Sequence, residues 1–303
     1  MPVVSDSQIA AIIARHRLTL DGPVEPWASA GAVHALWGLG SQWVLRVPKN
    51  EEMCLGDHLC ESVAIPLARA AGVRTPAIVA FDDSHEIMPV PYTITERIHG
   101  NDLITLRWSD PEFEGVYRAV GEQLAILHSA PVPPIPHPLL RTPDSSPAEN
   151  FFGATIEAGL LHAEAVEWMR LLCERLDAKI ESSPAAPRVL VHDDIKPDNL
   201  MVDTNGLVHL IDWGDCGYGD PATDFHGLPL RATAAALRGY RAVTTSDQSL
   251  ESRIVRSVIA RSVSGLRRTP RLGPSWYRPI AATLTDLLTF AIDHPDLWHE
   301  WTS

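Results

Sequence analysis

Apolar residues recur along the chain with two different periods, and the change between them divides it. Over residues 6–16, Ile9, Ile12 and Ile13 fall on one helical face, and Ser5 ahead of them is a helix-capping residue type. Residues 24–47 read as strands: WASAGAVHALW, a turn at Gly38-Leu39-Gly40-Ser41, then QWVLRV. Residues 51–71 are amphipathic at helical spacing and stop at Gly72, and the extended segments TPAIVAF and PYTITERI follow. Strand, strand, helix, strand, strand predicts a small antiparallel sheet with one helix packed on it.

Beyond this point the period is mostly helical. Residues 111–128 carry Val116, Val120, Leu124 and Leu127 at helical spacing before the break PVPPIPHP. Residues 141–153 read as a loop and 157–180 as a long helix. PRVLVH is a short buried strand, and NLMVD with LVHLID predicts a hairpin around Thr204-Asn205-Gly206. Helices are expected near 230–243, 249–267 and 275–292. The pattern divides at about residue 97, giving an α+β protein: a sheet-and-helix domain over 1–97 and a larger helical domain over 98–303.

Composition narrows the function. The 303 residues carry a net charge of −13, and a nucleic-acid binder needs a basic face. No apolar stretch approaches a membrane span, and MPVVSDSQIAAIIARH lacks the basic start and long apolar run of a secretory signal. Cys54, Cys60, Cys173 and Cys216 show neither paired nor zinc spacing, as expected of reduced thiols in a cytoplasmic protein. Lysine occurs only at Lys49, Lys179 and Lys196, so each position bears inspection.

The chemistry concentrates in residues 189–225, VLVHDDIKPDNLMVDTNGLVHLIDWGDCGYGDPATDF. A strand delivers His192, and a tight loop then carries Asp193, Asp194, Lys196 and Asn199. The hairpin returns Asp212 to the same end, so Asn199 and Asp212 converge beside Asp194. Magnesium favours such hard oxygen ligands together with substrate phosphates, and a further carboxylate can accept a proton from a hydroxyl. Single Asp or Asn residues in loops are usually turn formers. Here, though, residues 192–199 fit the kinase loop pattern H-R-D-L-x-x-x-N except for Asp193 and Ile195, with a further Asp directly after LVHLI.

HDDIKPDN, IDWGD (211–215) and GDPATD (219–224) resemble the aminoglycoside phosphotransferase and choline kinase-like family, and are unlike the DFG segment of protein kinases. The resemblance extends more weakly over residues 27–240. It implies a bilobal protein-kinase-like fold, with Asp194 catalytic, Asn199 and Asp212 as Mg²⁺ ligands, and Asp220 and Asp224 structural. Asp193 and Asp198 stand where the family usually has glycine. Lys196 stands where it usually has histidine, and is read as offsetting charge on the transferred phosphoryl group. WVLRVPK is similar to the family's third strand, with Arg46 at the usual lysine; period-2 alternation sets Val44 and Arg46 opposite Leu45 and Val47. Its implied partner is Glu61, while Glu51, Glu52 and Asp57 read as a solvated first turn. SAGAVH, with Gly31, is expected to cover the nucleotide phosphates. TERIHG resembles the family's hinge, with backbone groups of Thr95 and Arg97 meeting the purine. His128 reads as a packed structural histidine.

GDP follows IDW within a few residues, leaving no room for a peptide-docking activation loop, so the acceptor is expected to be a small hydroxylated molecule. The reading is an ATP- or GTP-dependent, Mg²⁺-requiring O-phosphotransferase acting on an aminoglycoside, macrolide, nucleoside or peptide antibiotic and giving resistance, as a monomer or homodimer. A metabolite kinase of the choline, amino sugar, methylthioribose or homoserine type is the alternative, and a silent nucleotide-binding module a third. Beyond Pro221, Asp247, Glu251, Asp286, Asp293, Asp296 and Glu300 mix with Trp276, Tyr277, Phe290, Trp298 and Trp301. Acids there would pair with a cationic drug, and aromatics would pack on a less charged one.

Overall fold

The computed structural model of the protein describes residues 4–27, 33–142, 151–245, 247–266 and 278–303. Along the chain run α1 (Asp6–Arg15), β1 (Val24–Pro26), β2 (His34–Leu39), β3 (Trp43–Pro48), α2 (Glu52–Ala71), β4 (Ile78–Asp82), β5 (Tyr92–Glu96) and β6 (Gly100–Asp102). Then come α3 (Phe113–His128), α4 (Phe151–Glu157), α5 (Ala163–Glu181), β7 (Val189–Val191), β8 (Leu200–Asp203), β9 (Val208–Leu210) and β10 (Gly217–Gly219). Four helices finish the chain: α6 (Leu230–Val243), α7 (Leu250–Gly265), α8 (Arg278–Asp293) and α9 (Pro295–Thr302). Two compact units result. The first gathers Met1–Thr105, Ser129–Thr142 and His192–Tyr218; the second gathers Leu106–His128, Pro143–Val191 and Gly219–Ser303. The hairpin after His192 is thus grouped with the N-terminal sheet, whereas the sequence division at residue 97 assigns it to the helical part.

In the first unit five antiparallel strands lie in the order β1-β2-β3-β5-β4. Register sets Leu45 between Trp37 and Ile94, and Val47 opposite Ala35. These residues join Ile9 and Ile12 of α1 in one apolar core. The helix starts on a capping box, in which the Ser5 hydroxyl accepts from the Gln8 amide and the Gln8 side chain accepts from the Ser5 amide. Alternation turns Arg46 and its cross-strand partner Thr93 to the other face. The buried stripe of α2 recurs at Cys54, His58, Glu61, Ile65 and Ala68, a helical spacing that carries two polar residues into the interior. Gly72 at φ 98° ends the helix, its N–H donating to the Arg69 carbonyl. A second sheet, β6-β8-β9, carries the hairpin.

The second unit is built on α3 and α6, which cross at Gly121 and Gly239. A Cβ at Gly121 would collide with the Ala236 carbonyl, and one at Gly239 with the Arg118 carbonyl, so only glycine permits this approach. The helix expected over 157–180 begins at Ala163, after a separate α4, because Gly159 at φ 68° closes that earlier helix. The expected loop over 141–153 therefore ends in helix at Phe151, and its residues 143–150 lie outside those described. His128 is buried between Asp224 (Nε2 to Oδ2, 2.9 Å) and the Tyr240 hydroxyl (3.0 Å).

The acidic residues expected to face a ligand are largely committed inside this unit. Asp247 accepts from Arg253 at 2.7 and 2.9 Å, Asp286 accepts from the Leu230 amide at 2.7 Å, and Glu251 and Asp293 pair with Arg241 and Arg231. Phe290 and Trp301 pack on each other in the core, and Trp276 and Tyr277 lie outside the described residues.

Candidate active site

Strand β3 and helix α2 bring Arg46 and Glu61 together. Arg46 Nη2 donates to Glu61 Oε1 at 2.6 Å and to Oε2 at 2.7 Å, and also to His34 Nδ1 at 3.3 Å. Arg46 Nε is buried without a partner, which leaves Nη1 making no hydrogen bond among the described residues. Burial pushes the Glu61 carboxyl upward; the Arg46 charge opposes this, and the neighbouring Asp212 reinforces it. Lys49, the other cation of this segment, lies after the strand.

The loop after His192 is pinned from within. His192 Nδ1 accepts from the Asp194 amide (3.4 Å) while Nε2 donates to the Ile211 carbonyl (3.0 Å), and the ring packs on buried Trp213. Asp193 adopts φ 64°, the left-handed conformation that suits the glycine usual at this position, and Asp212 sits at φ 68°. Asp194 Oδ2 accepts from Lys196 Nζ at 2.6 Å and from Asn199 Nδ2 at 2.8 Å; the same Nδ2 reaches the Asp194 carbonyl at 2.8 Å. Both donors converge on one carboxylate oxygen, so Oδ1 remains for a further proton donor. Asn199 directs its nitrogen to Asp194, and its amide oxygen accepts no hydrogen bond among the described residues. The Ile211 amide donates to the Asn199 carbonyl (3.0 Å), closing the hairpin so that Asp212 follows directly beside Asn199. Burial lowers and the Asp194, Asp198 and Asp212 charges raise the Lys196 ammonium, with the net shift upward.

Helix α2 also holds the loop after Asp212, through residues whose sequence pattern gave no such role. Cys60 Sγ donates to the Trp213 and Cys216 carbonyls at 3.5 and 3.4 Å, and a Cβ on Gly214 would lie 2.8 Å from Asp57 Cβ. Asp57, read from the sequence as solvated, is instead half-buried and paired with Arg141, whose Nε donates to the Gly214 carbonyl at 3.2 Å. The reason is its place one turn before Glu61 on the packed side of the helix; Glu51 and Glu52 are exposed as expected. Asp215 is exposed, yet partial desolvation and the charges of Asp194 and Asp212 raise its carboxyl. Asp194, Asp212 and Asp215 therefore share one field.

The remaining expected nucleotide contacts are placed less simply. Thr95 lies inside β5, facing Val44 on one side and Ile78 on the other. The Arg97 N–H donates to the Gln42 carbonyl at 2.8 Å, so that amide is already committed and does not meet a base. Its guanidinium donates to the Gly40 carbonyl and lies over Trp27. Gly31 lies outside the described residues. None of the four cysteines forms a disulfide and all are buried, and no helix among the described residues is long and apolar enough to cross a membrane.

A profile of the phosphotransferase enzyme family matches residues 34–250, spanning β2 to β5, helix α2 and the loop and hairpin after His192. The chain belongs to this family. Solved structures agree on the bilobal protein-kinase-like fold. The GDP complex of wild-type aminoglycoside 2'-phosphotransferase-IIIa superposes with a TM-score of 0.66 at 16% identity, covering 93% of this phosphotransferase-family chain and 98% of that one. A choline/ethanolamine kinase family protein from Mesorhizobium loti gives 0.64 at 17%, covering 97% and 98%. Macrolide 2'-phosphotransferase MphH from Brachybacterium faecium gives 0.60 at 20%, covering 92% and 97%. No protein of curated function matches the chain by sequence.

Proposed function

We propose that this phosphotransferase-family chain moves the γ-phosphoryl group of ATP or GTP, with Mg²⁺, to a hydroxyl of a small molecule, and that the acceptor is an antibiotic inactivated by the modification. The observation that carries the reading is Asp194, whose Oδ2 is held by Lys196 and Asn199 while Oδ1 is left for the acceptor. Asp194 orients the attacking hydroxyl and takes its proton at Oδ1. Lys196 offsets charge as the phosphoryl group transfers, and Arg46, fixed by Glu61, offers Nη1 to the phosphates of the donor. The donor set fits a hard cation, because Asn199 and Asp212 present oxygens and no sulfur or imidazole. When bound there, Mg²⁺ supplies charge neutralisation of the phosphates. No covalent protein intermediate is required; positioning and electrostatics suffice.

Two of the similar structures are named as aminoglycoside and macrolide phosphotransferases, which supports an antibiotic acceptor. Within that class the observations favour a weakly cationic drug. Four of the six acidic side chains expected to meet ammonium groups are already engaged by arginines or a backbone amide of their own unit.

The test is Mg²⁺-dependent nucleotide consumption with both nucleotides against aminoglycosides, macrolides, nucleoside and peptide antibiotics, choline and amino sugars, run beside Asp194→Ala. Turnover with an antibiotic and a loss of about 10²-fold or more in the variant supports the reading. Turnover with a metabolite alone replaces the acceptor class. Unchanged activity of Asp194→Ala overturns the base assignment.

A further inference from the structure

Arg46 is held on a second side by groups that the reaction itself does not use. Its Nη2 donates to His34 Nδ1 at 3.3 Å, His34 Nε2 lies 2.9 Å from His58 Nδ1, and His58 Nε2 lies 3.1 Å from Thr93 Oγ1. All three are interior, with His58 fully buried. A guanidinium has donors and no acceptor, so His34 Nδ1 must accept. A neutral imidazole that accepts at Nδ1 carries its proton on Nε2, and His34 therefore donates to His58 Nδ1. By the same step His58 carries its proton on Nε2 and donates to Thr93. The direction of the whole chain follows from the arginine.

The line closes on itself. His58 lies one turn before Glu61 on α2, Thr93 lies opposite Arg46 across β3 and β5, and Glu61 returns to Arg46. Burial lowers both imidazoles, His34 more strongly and His58 to about 3, with the Arg46 charge acting in the same sense, so both stay neutral over the ordinary pH range.

We infer that His34 and His58 are positioning residues, a one-directional hydrogen-bond chain from Arg46 to Thr93 that fixes the guanidinium against Glu61. The inference rests on the proposed role of Arg46 toward the nucleotide. His34, His58 and Glu61 also bring ligand atoms within 4.8 Å of one another, the separation of a three-ligand metal site. That use conflicts with the chain: the proton on His34 Nε2 fills the gap to His58, and the guanidinium bridges both Glu61 oxygens. A cation would have to displace both.

Two measurements on the full-length chain test this. Long-range ¹⁵N–¹H correlation spectra of histidine-labelled protein, assigned with His34→Gln and His58→Gln, are expected to show both rings neutral with the proton on Nε2 from pH 6 to 8. A proton on His34 Nδ1, a charged His34 at pH 7, or loss of its Nε2 proton on adding Zn²⁺ alone would overturn the inference without touching the functional reading. The second measurement is calorimetric binding of ATP and GTP. His34→Leu is expected to weaken binding about tenfold, the scale of one lost charge-assisted hydrogen bond, while His34→Gln, which can both accept and donate, restores most of it. In an Arg46→Met background His34→Leu should have no further effect. An equal loss there marks His34 as packing only and overturns the positioning role. If Arg46→Met alone leaves binding unchanged, the proposed phosphate role of Arg46 fails instead, while the histidine protonation states still stand or fall by the spectra.

Discussion

One nitrogen of Arg46 bridges both carboxylate oxygens of Glu61, at 2.6 and 2.7 Å, while the Glu61 side chain is 2% exposed and the arginine 18%. The two ends of the pair therefore tolerate loss differently. Glu61→Ala leaves a mostly buried guanidinium without its anion, and the expected cost is about 2–3 kcal/mol in urea denaturation, somewhat below that of a fully buried pair because Arg46 keeps some solvent. Arg46→Met is expected to cost less, since burial by itself favours the neutral carboxyl that would remain. Both variants should bind nucleotide at least tenfold more weakly by calorimetry.

Asp193 holds a left-handed backbone immediately before the proposed base. Asp193→Gly is expected to leave stability within about 1 kcal/mol and to keep activity, since glycine adopts this conformation freely. Asp193→Val should cost about 1–2 kcal/mol or more, because a branched side chain is disfavoured there, and should lower turnover by displacing Asp194. Equal behaviour of the two variants in chemical denaturation would argue that the backbone conformation does not govern this position.

Gly121 and Gly239 set the separation of α3 and α6. Gly121→Ala places a methyl group against a backbone carbonyl that no rotamer change can move. The expected loss is about 1–3 kcal/mol or more, visible as a lowered midpoint in urea. Gly115, on the same α3, has open space around it, so Gly115→Ala serves as the control and should be neutral or mildly stabilising.

Asp247 is depressed to about 2; burial alone would raise it, but hydrogen bonds from Arg253 and Ser249 outweigh that. A depressed carboxyl contributes stability that is present above its unfolded value and is lost as pH falls through the folded one. Asp247→Asn should therefore lower the thermal midpoint at pH 5–7, and the gap from the parent protein should close as pH falls from about 4 to about 2. A gap independent of pH in that window would mean that the charge of Asp247 is not what stabilises this corner.

Much of the architecture was legible from periodicity alone. The alternation of WVLRVP set Arg46 opposite Leu45 and Val47, and the amphipathic stretch over 51–71 with its stop at Gly72 marked α2. The meeting of Arg46 with Glu61 was expected from the family resemblance, not from periodicity, and the structure brings the two together. What escaped was set by contacts between segments distant in sequence. Nothing in the string HALW says that His34 lies beside His58, because two strands and a helix must first be assembled. Asp57 looks like any acidic first-turn residue until Arg141, eighty-four positions later, arrives beside it. The Arg97 amide is committed by strand register to Gln42, and no property of Arg97 itself foretells that. The break at Gly159 went unread because an isolated glycine is compatible with a continuous helix.

Arg46, Glu61, Asp194, Lys196, Asn199 and Asp212 all fall within the unit formed by Met1–Thr105, Ser129–Thr142 and His192–Tyr218. The groups proposed for donor handling and proton transfer are thus packaged independently of α3 to α9. The hydrogen bonds among these side chains run entirely inside that unit, so a substitution confined to α3 to α9 removes none of them.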